Sequence, residues 1–331
     1  MPFVIALVVG LALTPLARWA GLALGIVDRP SGDELKIHVE PISLLGGVAT
    51  VASALAAQLL VRGGLPWPVV AAVVMSLAIG LLDDRLQLPA LLRVALIGGA
   101  GVILVAGNMG IDGVGLAVGV GVIILVLACA NAVNIIDGQD GLAGGVAAIA
   151  GLGVAAVLAL HGDDEGASLG LALAGGLAAF LVWNRPPARI FLGDGGAYAV
   201  GTLLAVLAAR AAEADGLRGL LAAGAALGIP AFEVAFSVGR RLTSRANLTG
   251  GDRLHSYDLV AARWGRTAST VTFWALGAVC AAGAILVSFL PVLAGAFVLG
   301  IGVLLAAWWG VWLWSRRSLA REGPPASQDP G

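Results

Sequence analysis

The sequence predicts an all-α polytopic membrane protein, a bundle of about ten or eleven transmembrane helices. Three observations support this. First, 59% of the 331 residues are hydrophobic and 12% are charged, which leaves too few polar side chains to cover a soluble globule of this size. Second, apolar runs of about 20 residues, long enough to cross hydrocarbon as helices, recur from end to end. Third, the alternation of polar and apolar residues that barrel strands require is absent, which excludes a membrane barrel.

The apolar runs set the predicted spans, and we expect the first run to be retained as a helix rather than removed as a signal. Within the span at 217–239, the triplet Gly228, Ile229 and Pro230 predicts a break or kink, because proline lacks a backbone donor and clashes with the preceding turn. The predicted spans lie at 3–25, 44–61, 67–82, 91–107, 114–135, 142–160, 167–183, 196–212, 217–239, 268–289 and 292–314. We predict one transmembrane domain over residues 1–315 and a disordered cytoplasmic tail over residues 316–331.

The connectors between the spans alternate between basic and base-poor. The positive-inside rule places the basic set in the cytoplasm, which predicts a cell-membrane protein with its N-terminus outside and its C-terminus inside. This set comprises Arg29, Lys36, Arg85, Arg93, Arg185, Arg189, Arg240, Arg241, Arg245, Arg253, Arg263, Arg266, Arg316, Arg317 and Arg321. Every polar motif described below falls on the same side.

Composition also limits the partners. The net charge of −1 gives no indication of a nucleic-acid partner, whereas membrane lipids are expected along every span. Cys129 and Cys280 sit inside apolar runs, so we interpret them as small core residues rather than a disulfide pair.

The stretch NAVNIIDGQDGLAGG places four polar side chains at the cytoplasmic end of one span, namely Asn131, Asn134, Asp137 and Asp140. They advance by three residues each, so they fall near one helix face before glycines let the backbone open into a loop. A solvated turn rarely needs so many amides and carboxylates. Polar groups at this depth usually face a cavity or partner, which favours a functional site.

Further carboxylates occur in two other cytoplasmic connectors. Asp83 and Asp84 are adjacent at the end of an apolar helix, where a divalent cation, a shared proton or water would relieve their repulsion. Asp194 is flanked by glycines that permit close approach to a ligand, and a lone carboxylate there suits metal ligation. Phe191 is compatible either with stacking on a base or with anchoring the loop in lipid.

Two basic connectors supply candidate substrate contacts. Lys36 is suited to a phosphate and His38 to hydrogen bonding, although an ordinary basic loop is the better explanation when this stretch is taken alone. In the long loop near residue 250, His255 among charged neighbours is the better candidate for a substrate contact.

Together these loops resemble the polyprenyl-phosphate N-acetylhexosamine-1-phosphate transferase family of bacterial envelope synthesis, and within it the UDP-GlcNAc:undecaprenyl-phosphate transferases. The matching motifs, in order, are KIH with Pro41 and LGG, LLDD, NAVNIIDGQDGLAGG, FLGDGGAYAVG and a basic loop with a histidine. The resemblance implies a bundle of ten or eleven helices with a cytoplasmic active site, dependence on Mg²⁺ or alternatively Mn²⁺, and two substrates, a UDP-sugar and a polyprenyl phosphate. Family members are often dimeric, so monomer and homodimer both stay open.

The resemblance also implies roles for individual residues. Asp83 and Asp84 correspond to the paired aspartates that activate the lipid phosphate and help to hold the metal, and Asp194 corresponds to the principal metal ligand. The nucleotide side is represented by Asn134, Asp137, Asp140 and Phe191, with the last two where the family holds uracil, and Lys36 is implied as a basic substrate contact. One departure is plain, since the family's final loop usually carries a run of histidines and here keeps only His255, followed by Tyr257 and Asp258.

Three functional hypotheses follow. The first is transfer of N-acetylglucosamine-1-phosphate to undecaprenyl phosphate with release of UMP. The second is the phospho-MurNAc-pentapeptide transfer of peptidoglycan synthesis, which Glu233 in GIPAFEVAFSV favours and the reduced histidine motif disfavours. The third is an ion-coupled transporter, which would place its acids near the bilayer midplane rather than at helix ends.

Overall fold

The computed structural model describes residues 1–29, 40–107, 115–244 and 254–316, and it confirms the all-α membrane architecture. These residues contain two short strands, β1 (Val27–Asp28) and β2 (Ile42–Ser43), and twelve helices. The helices are α1 (Pro2–Leu24), α2 (Gly46–Arg62), α3 (Trp67–Leu86), α4 (Ala90–Ala106), α5 (Leu116–Ile136), α6 (Leu142–Leu160), α7 (Asp164–Asn184), α8 (Gly193–Ala226), α9 (Gly228–Ser244), α10 (Ser256–Trp264), α11 (Arg266–Phe289) and α12 (Val292–Ser315).

Seven of the described helices are long and apolar enough to cross a membrane, namely α1, α5, α6, α7, α8, α11 and α12. Helices α2 and α4 are apolar but shorter, at 17 residues each. Helix α3 has 20 residues, but its last turns carry Asp83, Asp84 and Arg85 and are therefore polar. The bundle thus has the predicted class, with fewer full-length spans than the eleven apolar runs indicated.

The predicted span at 217–239 is divided between two helices, because a turn at Leu227 separates α8 from α9. The connector predicted between the spans at 196–212 and 217–239 is present as non-helical backbone at Asp215 and Gly216, within α8. The break predicted at Gly228 to Pro230 is confirmed, since α9 begins at Gly228 and places Pro230 in its first turn, where a missing backbone donor is tolerated. Helix α10 and the two strands were not predicted.

Helix α8 forms the centre of the bundle. Its first half is almost entirely buried, with α3 and α5 packed along it, whereas most of α12 is exposed. Small residues permit these close crossings, since a Cβ added at Gly201 of α8 would lie 2.5 Å from the Cα of Ala130 in α5. The side-chain core therefore holds the start of α8 in a fixed position.

The small sheet ties the start of α8 to the start of α2. Strands β1 and β2 pair antiparallel, and Ile190 bridges parallel to Ser43. The Phe191 N–H donates to the Ser43 carbonyl at 2.8 Å, and the Gly46 N–H donates to the Phe191 carbonyl at 3.0 Å. These bonds give the loop before Asp194 a defined backbone.

The opposite end of the bundle is fixed by an ionic contact. Arg210 of α8 donates to both carboxylate oxygens of Asp163, at 2.6 and 2.7 Å, beside the first turn of α7. Burial alone would raise the pKa of Asp163, but the Arg210 guanidinium and the Gly166 N–H outweigh it and lower that pKa. Asp163 therefore stays ionised and holds α7 against α8 at the end remote from Asp194.

Candidate active site

Three carboxylates from separate helices meet where α3 and α5 end and α8 begins. The Asp194 N–H donates to Asp84 at 3.1 Å, which joins α3 to α8. The Asn134 amide of α5 donates to the Asp194 carboxylate at 2.6 Å. Asp137, directly after α5, accepts the Gly193 N–H and lies close enough to Asp84 and Asp194 to interact with both charges. The structure thus places Asp84, Asp137 and Asp194 around one site.

Glycines make this convergence possible at two positions. Gly193 has φ +74°, a left-handed conformation that L side chains rarely adopt, and it turns the chain so that both its own N–H and that of Asp194 face carboxylates. Gly80 of α3 lies against the Asp194 backbone, where any Cβ would overlap the peptide between Asp194 and Gly195. Helix α3 can therefore approach the start of α8 closely enough for Asp84 to reach it.

The neighbouring carboxylate Asp83 has different surroundings. It is buried, and its two oxygens accept hydrogen bonds from Arg93 and Tyr198, each at 3.0 Å, and from the Leu88 N–H at 2.8 Å. Asp83 also acts on the Asp194 carboxyl, both through its charge and through a side-chain hydrogen bond. The pair predicted from the sequence is therefore divided, with Asp83 bound to α4 and α8 and Asp84 directed at the Asp194 backbone.

Asp137 holds its proton more tightly than an ordinary aspartate. Desolvation is the main cause, followed by the negative charges of Asp194, Asp84 and Asp140, and together they raise its pKa well above the usual range. The residue nevertheless keeps partial exposure to solvent. A carboxyl that is accessible and easily protonated suits proton transfer or cation binding.

The remaining predicted nucleotide residues occupy the loop region beside Asp137. Asp140 accepts the Ala188 N–H at 3.0 Å, and Phe191 is half-buried in the loop that leads to α8. A cavity of about 280 Å³ opens beside Ala188 and is lined by Val182, Trp183, Arg185, Pro186, Pro187 and Arg189. Asn131 does not reach the site, because its amide turns back to the Leu127 carbonyl at 2.7 Å.

The two basic-loop candidates have different outcomes. Lys36 lies outside the described residues, so its predicted contact stays a prediction. His255 is buried at the start of α10, where its Nδ1 lies 3.0 Å from the Ser237 hydroxyl and 3.9 Å from Glu233. These contacts place His255 in a packed junction between α9 and α10.

Sequence reasoning missed several residues that position the site. Asn184 accepts the Gly141 N–H at 2.8 Å and donates to the Ile190 carbonyl at 2.9 Å, which connects the two loops. Thr270 and Trp274 of α11 donate to the carbonyls of Asp140 and Gly141 at 3.2 and 3.1 Å. Polar residues at the end of an apolar span were the available signal for Asn184, while nothing local marked the two α11 side chains.

The donor chemistry fits a magnesium ion. Mg²⁺ takes oxygen ligands, usually one or two carboxylates completed by water and substrate phosphate. Asp84, Asp137 and Asp194 supply such oxygens and repel one another, a strain that a dication relieves. Among the described residues, no three His, Cys, Asp or Glu side chains are spaced as a ready-made metal site. Mg²⁺ beside a phosphate substrate needs only one or two protein carboxylates, because water and phosphate oxygens supply its other ligands.

Comparison with known proteins identifies the family of this chain. The sequence pattern of glycosyl transferase family 4 matches residues 66–212. That range contains every predicted site residue except Lys36 and His255, namely Asp83, Asp84, Asn134, Asp137, Asp140, Phe191 and Asp194.

Two relatives align over nearly the whole chain. The chain is 31% identical to a decaprenyl-phosphate N-acetylglucosaminephosphotransferase of Mycolicibacterium smegmatis, over 96% of this chain and 87% of the relative. It is 26% identical to a probable undecaprenyl-phosphate N-acetylglucosaminyl 1-phosphate transferase of Bacillus subtilis, over 90% of this chain and 87% of the relative.

A third relative aligns over less. A phospho-N-acetylmuramoyl-pentapeptide-transferase of Desulforudis audaxviator is 38% identical over 48% of this chain and 46% of the relative. The match across 87% of the mycobacterial relative, at 31% identity, extends the likeness well beyond residues 66–212. The chain therefore belongs to glycosyl transferase family 4 and is a polytopic membrane phosphoglycosyl transferase.

Proposed function

We propose that this enzyme transfers N-acetylglucosamine-1-phosphate from UDP-N-acetylglucosamine to a polyprenyl phosphate such as undecaprenyl phosphate, in cell-envelope polysaccharide synthesis. The observation that carries the proposal is the coverage of the relatives. Those named for transfer of N-acetylglucosamine phosphate to a polyprenyl phosphate align over at least 90% of the chain. The convergent carboxylates at the start of α8 suit a reaction between two phosphate esters.

The step balances as a substitution at phosphorus. An oxygen of the lipid phosphate forms a bond to the β-phosphorus of the UDP-sugar. The bond from that phosphorus to the oxygen bridging the two phosphorus atoms breaks, and UMP leaves with the electron pair. The products are UMP and a lipid-linked sugar pyrophosphate.

Both reactants are anions, so their mutual repulsion forms a large part of the barrier. Bound Mg²⁺ would neutralise phosphate oxygens and polarise the phosphorus under attack. Asp84 and Asp194 are the residues we assign to hold it, because the Asp194 N–H to Asp84 hydrogen bond fixes their relative positions. Mn²⁺ has similar oxygen preferences and is the alternative.

We assign the proton-handling role to Asp137. Its raised pKa suits a group that accepts a proton from the lipid phosphate. Asp83 is less suited, because three hydrogen bonds already hold its carboxylate. The sequence-based proposal gave both Asp83 and Asp84 a role at the lipid phosphate and the metal. We now assign the metal to Asp84 and the positioning of α3 to Asp83.

The nucleotide side of the proposed site comprises Asn134, Asp140 and Phe191, with Lys36 as a further basic contact. Asp140 accepts a hydrogen bond from the Ala188 N–H, and Phe191 lies three residues further along the same loop as Ala188. The lipid phosphate would arrive from the inner leaflet, because basic connectors surround this end of the bundle.

Phospho-MurNAc-pentapeptide transfer is the second candidate, and the 38% identity over half of the chain favours it. The incomplete coverage and the single histidine of the final loop are against it.

The test is a donor panel with UMP release as the readout. Purified enzyme in lipid nanodiscs receives undecaprenyl phosphate, Mg²⁺ and either UDP-N-acetylglucosamine or UDP-MurNAc-pentapeptide. We expect UMP release with the first donor and none from Asp194→Asn, which retains the size of the side chain. Release with the pentapeptide donor alone would establish the second candidate instead.

A further inference from the structure

Tyr257 occupies the position where this chain departs from a histidine-rich loop, and it spans the loop that presents Asp137. Its hydroxyl donates to the Ile135 carbonyl at 3.0 Å. Ile135 lies in the last turn of α5, where carbonyls lack a partner within the helix. The same hydroxyl lies against Gly138, where any Cβ would overlap it. Tyr257 therefore contacts the chain two residues before Asp137 and one residue after it.

The phenol ring itself is fixed from several sides. It is buried, stacks on the His255 ring with centroids 5.1 Å apart and planes 5° apart, and meets the edge of Phe273 at 6.5 Å. The Ser269 hydroxyl donates to the Tyr257 carbonyl at 2.9 Å. A ring held this firmly can transmit the position of α10 to the loop after α5.

The support continues into α9. His255 contacts Ser237, and Ser256 hydrogen-bonds to the fully buried Glu233 through both its hydroxyl and its N–H. Asp258 accepts the His255 N–H at 3.2 Å and so caps the start of α10. These contacts anchor the Tyr257 backbone to a helix that does not itself supply an acid to the site.

We propose that Tyr257 is a positioning residue that sets the orientation of the Asp137 carboxyl for phosphosugar transfer. The expected effect of Tyr257 on the transfer rate rests on the proposed function. The contact between Tyr257 and Gly138 does not depend on that function and can be tested separately. Tyr257 acts through the backbone on either side of Asp137 and takes no part in the bond changes.

The first experiment compares Tyr257→Phe with wild type in UMP release. We expect kcat to fall about tenfold or more while both KM values stay within about twofold, because misplacement of a reacting group affects the transition state more than substrate binding. Thr14→Val is the matched control, since it removes another buried hydroxyl bonded to a helix carbonyl, at 2.7 Å in α1, and should keep wild-type kcat. A Tyr257→Phe enzyme with wild-type kcat would overturn the positioning role.

The second experiment measures the coupling between Tyr257 and Gly138 by melting temperature, which does not depend on activity. Gly138→Ala should melt well below wild type, and adding Tyr257→Phe should recover part of the loss, because the hydroxyl that meets the new Cβ is gone. Equal melting temperatures for Gly138→Ala with and without Tyr257→Phe would refute the contact. A wild-type enzyme that released no UMP would count against the proposed function, and this coupling would still decide the packing part.

Discussion

The adjacent residues Asp83 and Asp84 have the same side chain but different surroundings in the fold. Asp83 and Asp84 differ by 100° around α3, so one faces Arg93 and Tyr198 and the other faces the Asp194 backbone. Removing either partner of a buried charge pair leaves the remaining charge poorly compensated. Asp83 is therefore important for the stability of the site even without a contact to substrate.

We predict that Arg93→Met lowers the free energy of unfolding by about 2 kcal/mol, because it removes the cation that faces the buried Asp83 carboxylate. The measurement is thermal or denaturant unfolding of purified protein in detergent. The control is Arg85→Met, which changes an exposed arginine near the end of α3, the helix that carries Asp83, and should be nearly neutral. An equal effect of the two substitutions would remove Asp83 from this structural role.

The raised pKa of Asp137 predicts a pH dependence of cation binding. Below that pKa the carboxyl is protonated, and a dication nearby must expel the proton, so affinity rises with pH until the pKa is passed. We expect Mn²⁺ to bind the protein without substrates more tightly at about pH 8 than at about pH 6. Electron paramagnetic resonance of the bound ion measures this affinity. Asp137→Asn should flatten this dependence, and a flat wild-type profile would argue against a protonated Asp137.

At the scale of elements, the site depends on how closely α3 crosses the start of α8. Gly80 permits the crossing, and Gly47 with Gly196 permits a similar one between α2 and α8. Helices in membranes pack through small residues in this way, and here the packing also delivers Asp84 to Asp194. The close packing of the α3 and α8 backbones therefore also determines the position of Asp84 relative to Asp194.

Gly80→Ala is predicted to destabilise the protein by about 3 kcal/mol and to abolish UMP release, because its Cβ would overlap backbone that cannot rotate away. Gly98→Ala is the matched control, since Gly98 lies within α4 with open space at its Cβ position. Alanine there should be neutral or slightly stabilising. Full activity of Gly80→Ala would show that the α3 and α8 crossing is looser than described.

For the whole molecule, all site carboxylates lie at one end of the bundle, the end that the basic connectors predict to be cytoplasmic. Helices α6 and α7 carry site residues at one end and the Asp163 and Arg210 contact at the other. A helix of 19 residues separates those ends by about 28 Å, close to the thickness of the hydrocarbon core. The two ends therefore face opposite aqueous compartments.

This orientation predicts the labelling of introduced cysteines by a membrane-impermeant maleimide. Asp164→Cys, at the exposed start of α7, should react in intact cells stripped of their outer layers. Arg185→Cys, exposed just after the end of α7, should react only after the cells are opened. The reverse pattern would invert the proposed topology.

The class of the fold and the residues of the site followed from local sequence features. Apolar length predicted the helices, and the five carboxylates considered interact with one another in the fold, namely Asp83, Asp84, Asp137, Asp140 and Asp194. The different hydrogen-bond partners of Asp83 and Asp84 could not be predicted, because Asp83 contacts Arg93 and Tyr198, which come close to it only in the folded chain.

The breaks at Gly228 and at Asp215 with Gly216 were both predicted, the second as the connector between the spans at 196–212 and 217–239. Other features were beyond local patterns for similar reasons. Helix α10 lies in a polar loop and owes its position to Glu233 of α9, which is 23 residues before the Ser256 that it contacts.

The central claim is that this enzyme moves a phosphosugar rather than a sugar alone. The direct measurement uses UDP-N-acetylglucosamine labelled at the β-phosphorus, with undecaprenyl phosphate as acceptor. We expect the label to enter the lipid-extractable product in step with UMP release, and Asp194→Asn to abolish both. Label left in water as UDP, or a lipid product formed equally by Asp194→Asn, would contradict it.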